Sequence, residues 1–473
     1  MFIMFNFILD LTNSIVDALM NVVFFNVFKL FGLGDNINLP FSIAVLLVGY
    51  IYLACRLKFI QFTRFGTILK YTFGKNKNSD SHSSPVKTLL TSVASCTGMN
   101  ATAGIVFMVA IGGVGTIFWI PILALLCMPF RFAEVYLSHS YRSLKADSSS
   151  FMGGPFDYIK KGLADIGMER LGKILTIFYT GAMIASGTIG VSMYEMNQSV
   201  VVFEKGFSFL NGKRLMLSVI LTSIALFVIL GGTKRVENFM SVALSFLSIL
   251  YVATSIIVIF YNYKNLPSAI AFIVEDAISP KSIAGGFIGS FCLCARKNAL
   301  SHETGLGTSG IVHALSPEKD SIKEATRSMM TPLINSLIVC MATSLVLTTT
   351  KTYLNKEVMK DGVLALMYAF GGTYKPFSYI VMAIIPMFTV NVLIGWSNYI
   401  IKCAQYLFKK KVIVFINMVL FFICAFLGGI IDNFFLIMNI VDVTLMFVLL
   451  INVPVIMLLS NRVYKAVKGY KFE

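Results

Sequence analysis

Charge is what this chain has little of: Asp, Glu, Lys and Arg supply 13% of its 473 residues, against 57% that are hydrophobic. A soluble domain carries roughly 25% charged residues on about 45–50% apolar ones. The shortage excludes a soluble enzyme, a disordered tail and a secreted disulfide scaffold, and no polar stretch is long enough to form a separate soluble domain. Histidine is scarce as well, with four residues. None of the eight cysteines (Cys55, Cys96, Cys127, Cys292, Cys294, Cys340, Cys403, Cys424) forms a CxxC pair, so a metal cluster lacks its ligand spacing and the thiols read as small packing groups. A P-loop and a nucleophile elbow are absent too, which leaves no signature of an enzyme. The first basic residue is Lys29, so the start lacks the positive n-region of a signal peptide.

What the chain has instead is long apolar runs. Bounded by charges, they give eleven membrane spans of roughly 20 residues each. These are 40–57, 87–111, 114–138, 171–195, 213–231, 238–262, 282–301, 328–350, 378–404, 411–430 and 434–459. Residues 1–33 read as an amphipathic segment interrupted by Asp10, Asn13 and Asp17. The net charge of +16 sits in the links between runs, away from the aromatics, so it argues for membrane orientation and against nucleic acid. Alternate links divide the 39 basic residues 29 to 10. The richer side is cytoplasmic by the positive-inside rule, which places the N-terminus outside and the C-terminus in the cytoplasm of a bacterial plasma membrane.

With the first span set aside, ten remain, five and five, starting in opposite directions as an inverted repeat requires. The chain then divides into an N-terminal segment with the extra span and a basic link (1–84), a first repeat (85–262), an external link (263–281) and a second repeat with a basic tail (282–473). The leading helix of each repeat carries small residues, SCTGMNATAG at 95–104 and AGGFIGSF at 284–291. Glycine and serine there let backbone leave the helix, and the freed polar groups need protein, water, substrate or ion as partners. Close helix packing is the competing account of the same glycines.

Several polar residues lie within the apolar runs. Glu134 is expected to pair with Arg131 three residues before it. Glu195, at the outer end of the fourth span, is either a carboxylate that relays protons or meets a cation, or a solvated interfacial group. Glu303, in SHETGLGTSG, reads first as part of a helix termination and gating loop. Trp396 sits mid-span in IGWSNY, away from the interface belt where Trp concentrates. Asn335 suits either an interhelical hydrogen bond or contact with a permeant.

The ordered set GIVFMVAIGGVGTIFW (104–119), FRFAEVYLSHSYR (130–142), GGPFDYIKKGL (153–163), GGTKRV (231–236), SPKSIAGGFIGS with SHETGLGTSGIVHA (279–314), SLIVCMATSLV (336–346) and IGWSNY (394–399) resembles the sodium:alanine symporter family. The resemblance covers about residues 85–473. It implies an all-α fold of the amino-acid–polyamine–organocation type, with two discontinuous helices, and import of alanine or glycine driven by sodium. It carries the substrate region onto Gly98, Asn100, Ala101 and Gly104, onto Phe287, Gly289, Ser290 and Phe291, and onto Val392 and Trp396. Cation-coupling candidates are Asn391, Glu195 and Asn335. The chain departs from the family pattern there: Asn100-Ala101 stands for Gly-Asn, Asn391-Val392 for a hydroxyl pair, Glu195 for Gln and Asn335 for Asp. Proton coupling, ion-independent exchange and a non-transporting amino-acid sensor therefore stand as alternatives to sodium symport.

Overall fold

Backbone at membrane depth must satisfy its own hydrogen bonds, and the runs read above do so as helices. The computed structural model describes residues 2–32, 38–74, 89, 92, 93, 96, 98–144, 151–230, 244–279, 286–408 and 410–472. The main elements are α1 (Phe2–Val23), α2 (Phe41–Arg56), α3 (Ala103–Gly112), α4 (Trp119–Ser140), α5 (Glu169–Gly206), α6 (Arg214–Leu230), α7 (Leu244–Tyr261) and α8 (Leu266–Ile278). There follow α9 (Gly286–His302), α10 (Thr308–His313), α11 (Ser321–Thr349), α12 (Gly362–Thr373), α13 (Lys375–Phe408), α14 (Lys411–Ile430), α15 (Phe434–Leu458) and α16 (Ser460–Gly469). A two-residue hairpin, Ser143–Leu144 against Phe151–Met152, is the one sheet among the described residues.

Among the described residues, six helices are long and apolar enough to cross a membrane: α4 with its lead-in from Val114, α5, α11, α13, α14 and α15. The segments Phe246–Tyr261 of α7 and Tyr263–Ile278, which ends in α8, pass the same test together, across a bend of 76°. Shorter apolar helices include α2, α6 and α12. The eighth span begins at Ser321, seven residues before its expected limit, and two further expectations fail. The fourth was expected to stop at Glu195, but α5 continues to Gly206 through a π-helical stretch at Ser186–Val191. Glu195, Asn197 and Gln198 end the apolar run, yet all three are buried against protein, so the helix has no reason to end with it. The expected break at 284–291 is also absent from Gly286 onward, because α9 runs unbroken to His302. Glycine inside a helix costs about 1 kcal/mol relative to alanine and does not by itself end it.

The links gather at two ends. At one end, Arg462 of the tail bonds Tyr141 and Asp165, Tyr470 bonds Asp320, Arg142 bonds the Ser316 and Glu318 carbonyls, and Arg327 bonds the Tyr71 carbonyl. At the other, Arg214 joins Glu204 to Asp432, Asn265 bonds the Thr349 carbonyl, and Asn262 bonds Thr373. Helices α4, α11, α13 and α15 are mostly buried, whereas α14 lies at the periphery.

Candidate functional site

Two stretches of backbone leave the helices inside this bundle. The first is Gly98–Thr102, where a short 3-10 turn precedes α3. The second is Glu303–Gly307, between α9 and α10. There Glu303, Gly305 and Gly307 have φ of 53°, 95° and 91°, values that glycine adopts freely and L residues rarely. The expected second break therefore falls one helix length later, in SHETGLGTSG.

Each break presents a free N–H to a buried carboxylate from another helix. Met99 donates to Glu195 Oε1 at 3.2 Å, and Gly305 donates to Glu134 Oε2 at 2.9 Å. Ser309 also donates to Glu134. Glu134 was expected to pair with Arg131; instead Arg131 donates to the His302 carbonyl at 2.8 Å and to Ser92. Both residues secure the second break because both breaks leave polar backbone that lipid cannot satisfy.

The breaks face a narrow cavity lined by Cys96, Gly98, Asn100, Val191, Glu195, Leu300, Glu303, Val392, Trp396 and Leu445. Trp396 donates its indole N–H to Glu303 Oε1 at 3.0 Å, joining α13 to the second break. Gly98 is held against Val392: a Cβ there would stand 2.5 Å from Val392 Cγ2 and 3.2 Å from Glu195 Oε1. Thr389, one turn before Val392, donates to the Glu195 carbonyl at 3.0 Å and accepts from Ser199. Two carboxylates thus face the cavity, and no basic side chain among the described residues lines it.

The structure brings together Gly98, Asn100, Glu195, Val392 and Trp396 of the residues singled out from the sequence. Ala101 is buried within the first break and Gly104 just after it, and Asn391 is buried on α13. Asn335 opens a π-helical stretch of α11 and donates to the Ser301 carbonyl at 2.9 Å, while Ser301 donates to the Asn100 carbonyl. It braces the end of α9 against the first break. Phe287, Gly289, Ser290 and Phe291 lie in the opening turns of α9. Ser290 is ten residues, or about 15 Å of helix, from Leu300 of the cavity. Phe291 packs edge-on against Trp119 with centroids 5.2 Å apart, not against Trp396. Leu300, Leu445, Val191 and Thr389 were not anticipated; only Thr389 had a signal, a hydroxyl two residues before Asn391.

A cavity at two helix breaks within a membrane bundle, lined by unwound backbone and paired carboxylates, is the construction of a secondary transporter. The chain belongs to the sodium:alanine symporter family, whose model matches residues 27–473. It is 32% identical over 363 residues to an uncharacterized transporter of Haemophilus influenzae, covering 76% of this chain and 77% of that one. It is 28% identical over 378 residues to the sodium/alanine symporter AgcS of Methanococcus maripaludis (79% and 82% covered). A probable sodium/glutamine symporter, GlnT of Bacillus subtilis, is 26% identical over 443 residues (93% and 90%). Among solved structures, a Na⁺-coupled sialic acid symporter in a substrate-bound outward-open state shares the fold, with a TM-score of 0.50 at 14% identity over 83% of this chain and 82% of that one. The protein is a multi-pass membrane transporter of a cation-coupled amino-acid transport family.

Proposed function

We propose that the protein imports a small neutral amino acid, alanine or glycine, together with a cation, by alternating access around the cavity between the two breaks. The observation that carries this reading is the cavity lining: Glu195 of α5 bonded to the first break, Glu303 in the second, Trp396 as a wall, and no basic residue among the described ones. Occluding two carboxylates away from water favours the arrival of positive charge, supplied by the substrate ammonium and the coupling ion. The substrate carboxylate meets backbone N–H groups at the start of α3, where the helix dipole favours an anion. Trp396 and Leu300 wall a narrow cavity, which favours a substrate with a short side chain. Gly98, Asn100, Val392 and Trp396 form the substrate contacts, with Ala101 and Gly104 shaping the backbone behind them. Counterflow of labelled alanine in proteoliposomes tests this, and failure to exchange any small neutral amino acid would refute it.

Sodium is the coupling ion that family membership favours, with carbonyls of the first break as hard ligands. A second reading, proton coupling, is favoured by one observation: a carboxylate, Glu195, holds the first break, and aliphatic Val392 lies against Gly98. Under it Glu195 carries the proton.

The same reading arranges α2 as an extra span, followed by five helices led by the first break and five led by α9. Links placed on one side by their charge meet at one end of the bundle, which supports this order. Arg131, Arg296 and Lys297 bond within the bundle, to His302, Ser92 and Asp442, and not in a link; without them the basic-residue count is 26 against 10. The end holding Tyr141, Asp165 and the tail is then cytoplasmic.

A further inference from the structure

Arg296 and Lys297 lie inside α9 and meet Asp442 of α15. Lys297 Nζ is 3.2 and 3.1 Å from the two Asp442 oxygens, and neither side chain has any exposed surface. Arg296 forms an ion pair with Asp442 as well and covers the Phe24 ring, 4.1 Å from its centroid. Lys297 Nζ stands 4.5 Å from the centroid of Phe107 on α3, and Phe107 packs on Phe434 at the start of α15.

The position of this cluster is defined by two helix turns. Lys297 precedes Leu300 by three residues on α9, and Asp442 precedes Leu445 by three on α15. Leu300 and Leu445 both line the cavity. Residues three apart share a helix face. The ion cluster therefore covers the cavity one turn away, on the side where α9 and α15 begin, and it joins three helices: α3, which follows the first break, α9, which leads to the second, and α15.

Burial of such a group is costly. Two cations share one carboxylate, so the cluster holds an excess positive charge at membrane depth. An ion pair of this kind is seldom better for stability than apolar packing of the same volume. Its charges are strongly hydrated whenever the helices part, and strongly attracted when they close. That is a two-state contact, able to bias an equilibrium between open and closed arrangements.

We propose that Asp442, Lys297 and Arg296 form a latch that closes the cavity toward the side where α9 and α15 begin. Opening the latch exposes the cavity to that side, where the reading of sidedness above places the outside. The inference rests on the transport reading, but it concerns access to the cavity and can be measured without flux.

The test uses the full chain in proteoliposomes with Leu445→Cys as reporter, labelled by a membrane-impermeant maleimide added to each side in turn and corrected for the native thiols. Asp442→Asn is expected to speed labelling from one side by about tenfold or more. Lys297→Met, which leaves the Arg296–Asp442 pair, is expected to speed it by a smaller factor from the same side, and it keeps the test usable if Asp442→Asn folds poorly. Glu204→Gln breaks a similarly buried pair with Arg214 away from the cavity and is expected to leave the rate unchanged. Unchanged labelling in both latch variants, equal acceleration by Glu204→Gln, or acceleration from both sides alike would overturn the latch. Failure of the transport reading would show separately, as wild-type vesicles that exchange no small neutral amino acid.

Discussion

The two backbone breaks solve one problem in two ways. Each turns polar groups loose inside the membrane, and each receives a buried carboxylate from a neighbouring helix, Glu195 at Met99 and Glu134 at Gly305. The surroundings differ. Glu134 also accepts from Ser309, and the loop beside it is held further by Asn452 bonding the Gly305 carbonyl and Tyr179 bonding the Leu306 carbonyl. Glu195 instead lines the cavity together with Glu303. The same residue type thus serves as scaffold at the second break and as a candidate working group at the first. Local partners, and not burial, separate the roles, because both carboxylates are fully buried.

That contrast is open to direct attack, and the largest effect belongs to Glu134. Glu134→Ala strips partners from the Gly305 N–H and the Ser309 hydroxyl, at about 1–3 kcal/mol for each donor left unmatched. The expected outcome is a marked fall in thermal stability and folded yield. Glu195→Gln keeps an acceptor for Met99 and is expected to retain folded yield while altering ion dependence. Size-exclusion recovery and melting in detergent compare the two, and equal losses would erase the distinction.

Trp396→Ala comes next. Losing a buried aromatic wall typically costs about 3–5 kcal/mol in a packed core, shared here between fold and substrate affinity. It also releases Glu303, whose partner is the indole N–H. Trp119, edge-on to Phe118 and Phe291, is not among the residues that line the cavity. Trp119→Ala is therefore expected to cost much less affinity at matched surface expression, and equal loss in binding assays would assign both residues to packing.

Alanine at two glycines sharpens the comparison further. At Gly307 it meets left-handed backbone, worth about 1–2 kcal/mol, and a Cβ would clash with the Tyr179 hydroxyl. Stability should drop. At Gly98 the new methyl points at Val392 and Glu195, so substrate affinity should drop more than stability. Isothermal binding alongside melting separates these outcomes, and a reversed pattern would exchange the roles of the two breaks.

Smallest is Val392→Thr, which adds one hydroxyl beside Gly98. If sodium sits at the first break, the half-saturating sodium concentration for uptake should fall by a few-fold, while an unchanged value would place the ion elsewhere.

How much of this was written in the sequence varies with the kind of signal. Apolar runs gave most helices within a few residues, because burial in lipid depends on composition. The end of α5 was missed because Glu195, Asn197 and Gln198 interrupt the run but bury against α13 and α14, a tertiary fact. The second break was sought among the glycines of AGGFIGSF, of which Gly286 and Gly289 lie in helix α9, whereas it lies where Glu303, Gly305 and Gly307 take positive φ. Spacing alone does not distinguish a glycine that packs from one that turns. At the site, small residues pointed to Gly98 and Asn100, charge within a span to Glu195, and the family resemblance to Val392 and Trp396, and the structure draws all five to one cavity. The pairing of Arg296 and Lys297 with Asp442 spans about 145 residues of chain and left no local trace.

The central claim is coupled import through a cavity whose carboxylate at the first break meets the cation. Its most direct test is uptake of labelled alanine into proteoliposomes under sodium and proton gradients imposed separately, for the wild type and Glu195→Gln. The account predicts that one gradient drives wild-type accumulation and that Glu195→Gln weakens or abolishes that drive while alanine exchange persists. Accumulation that ignores both gradients, or identical gradient dependence in the two proteins, would contradict it.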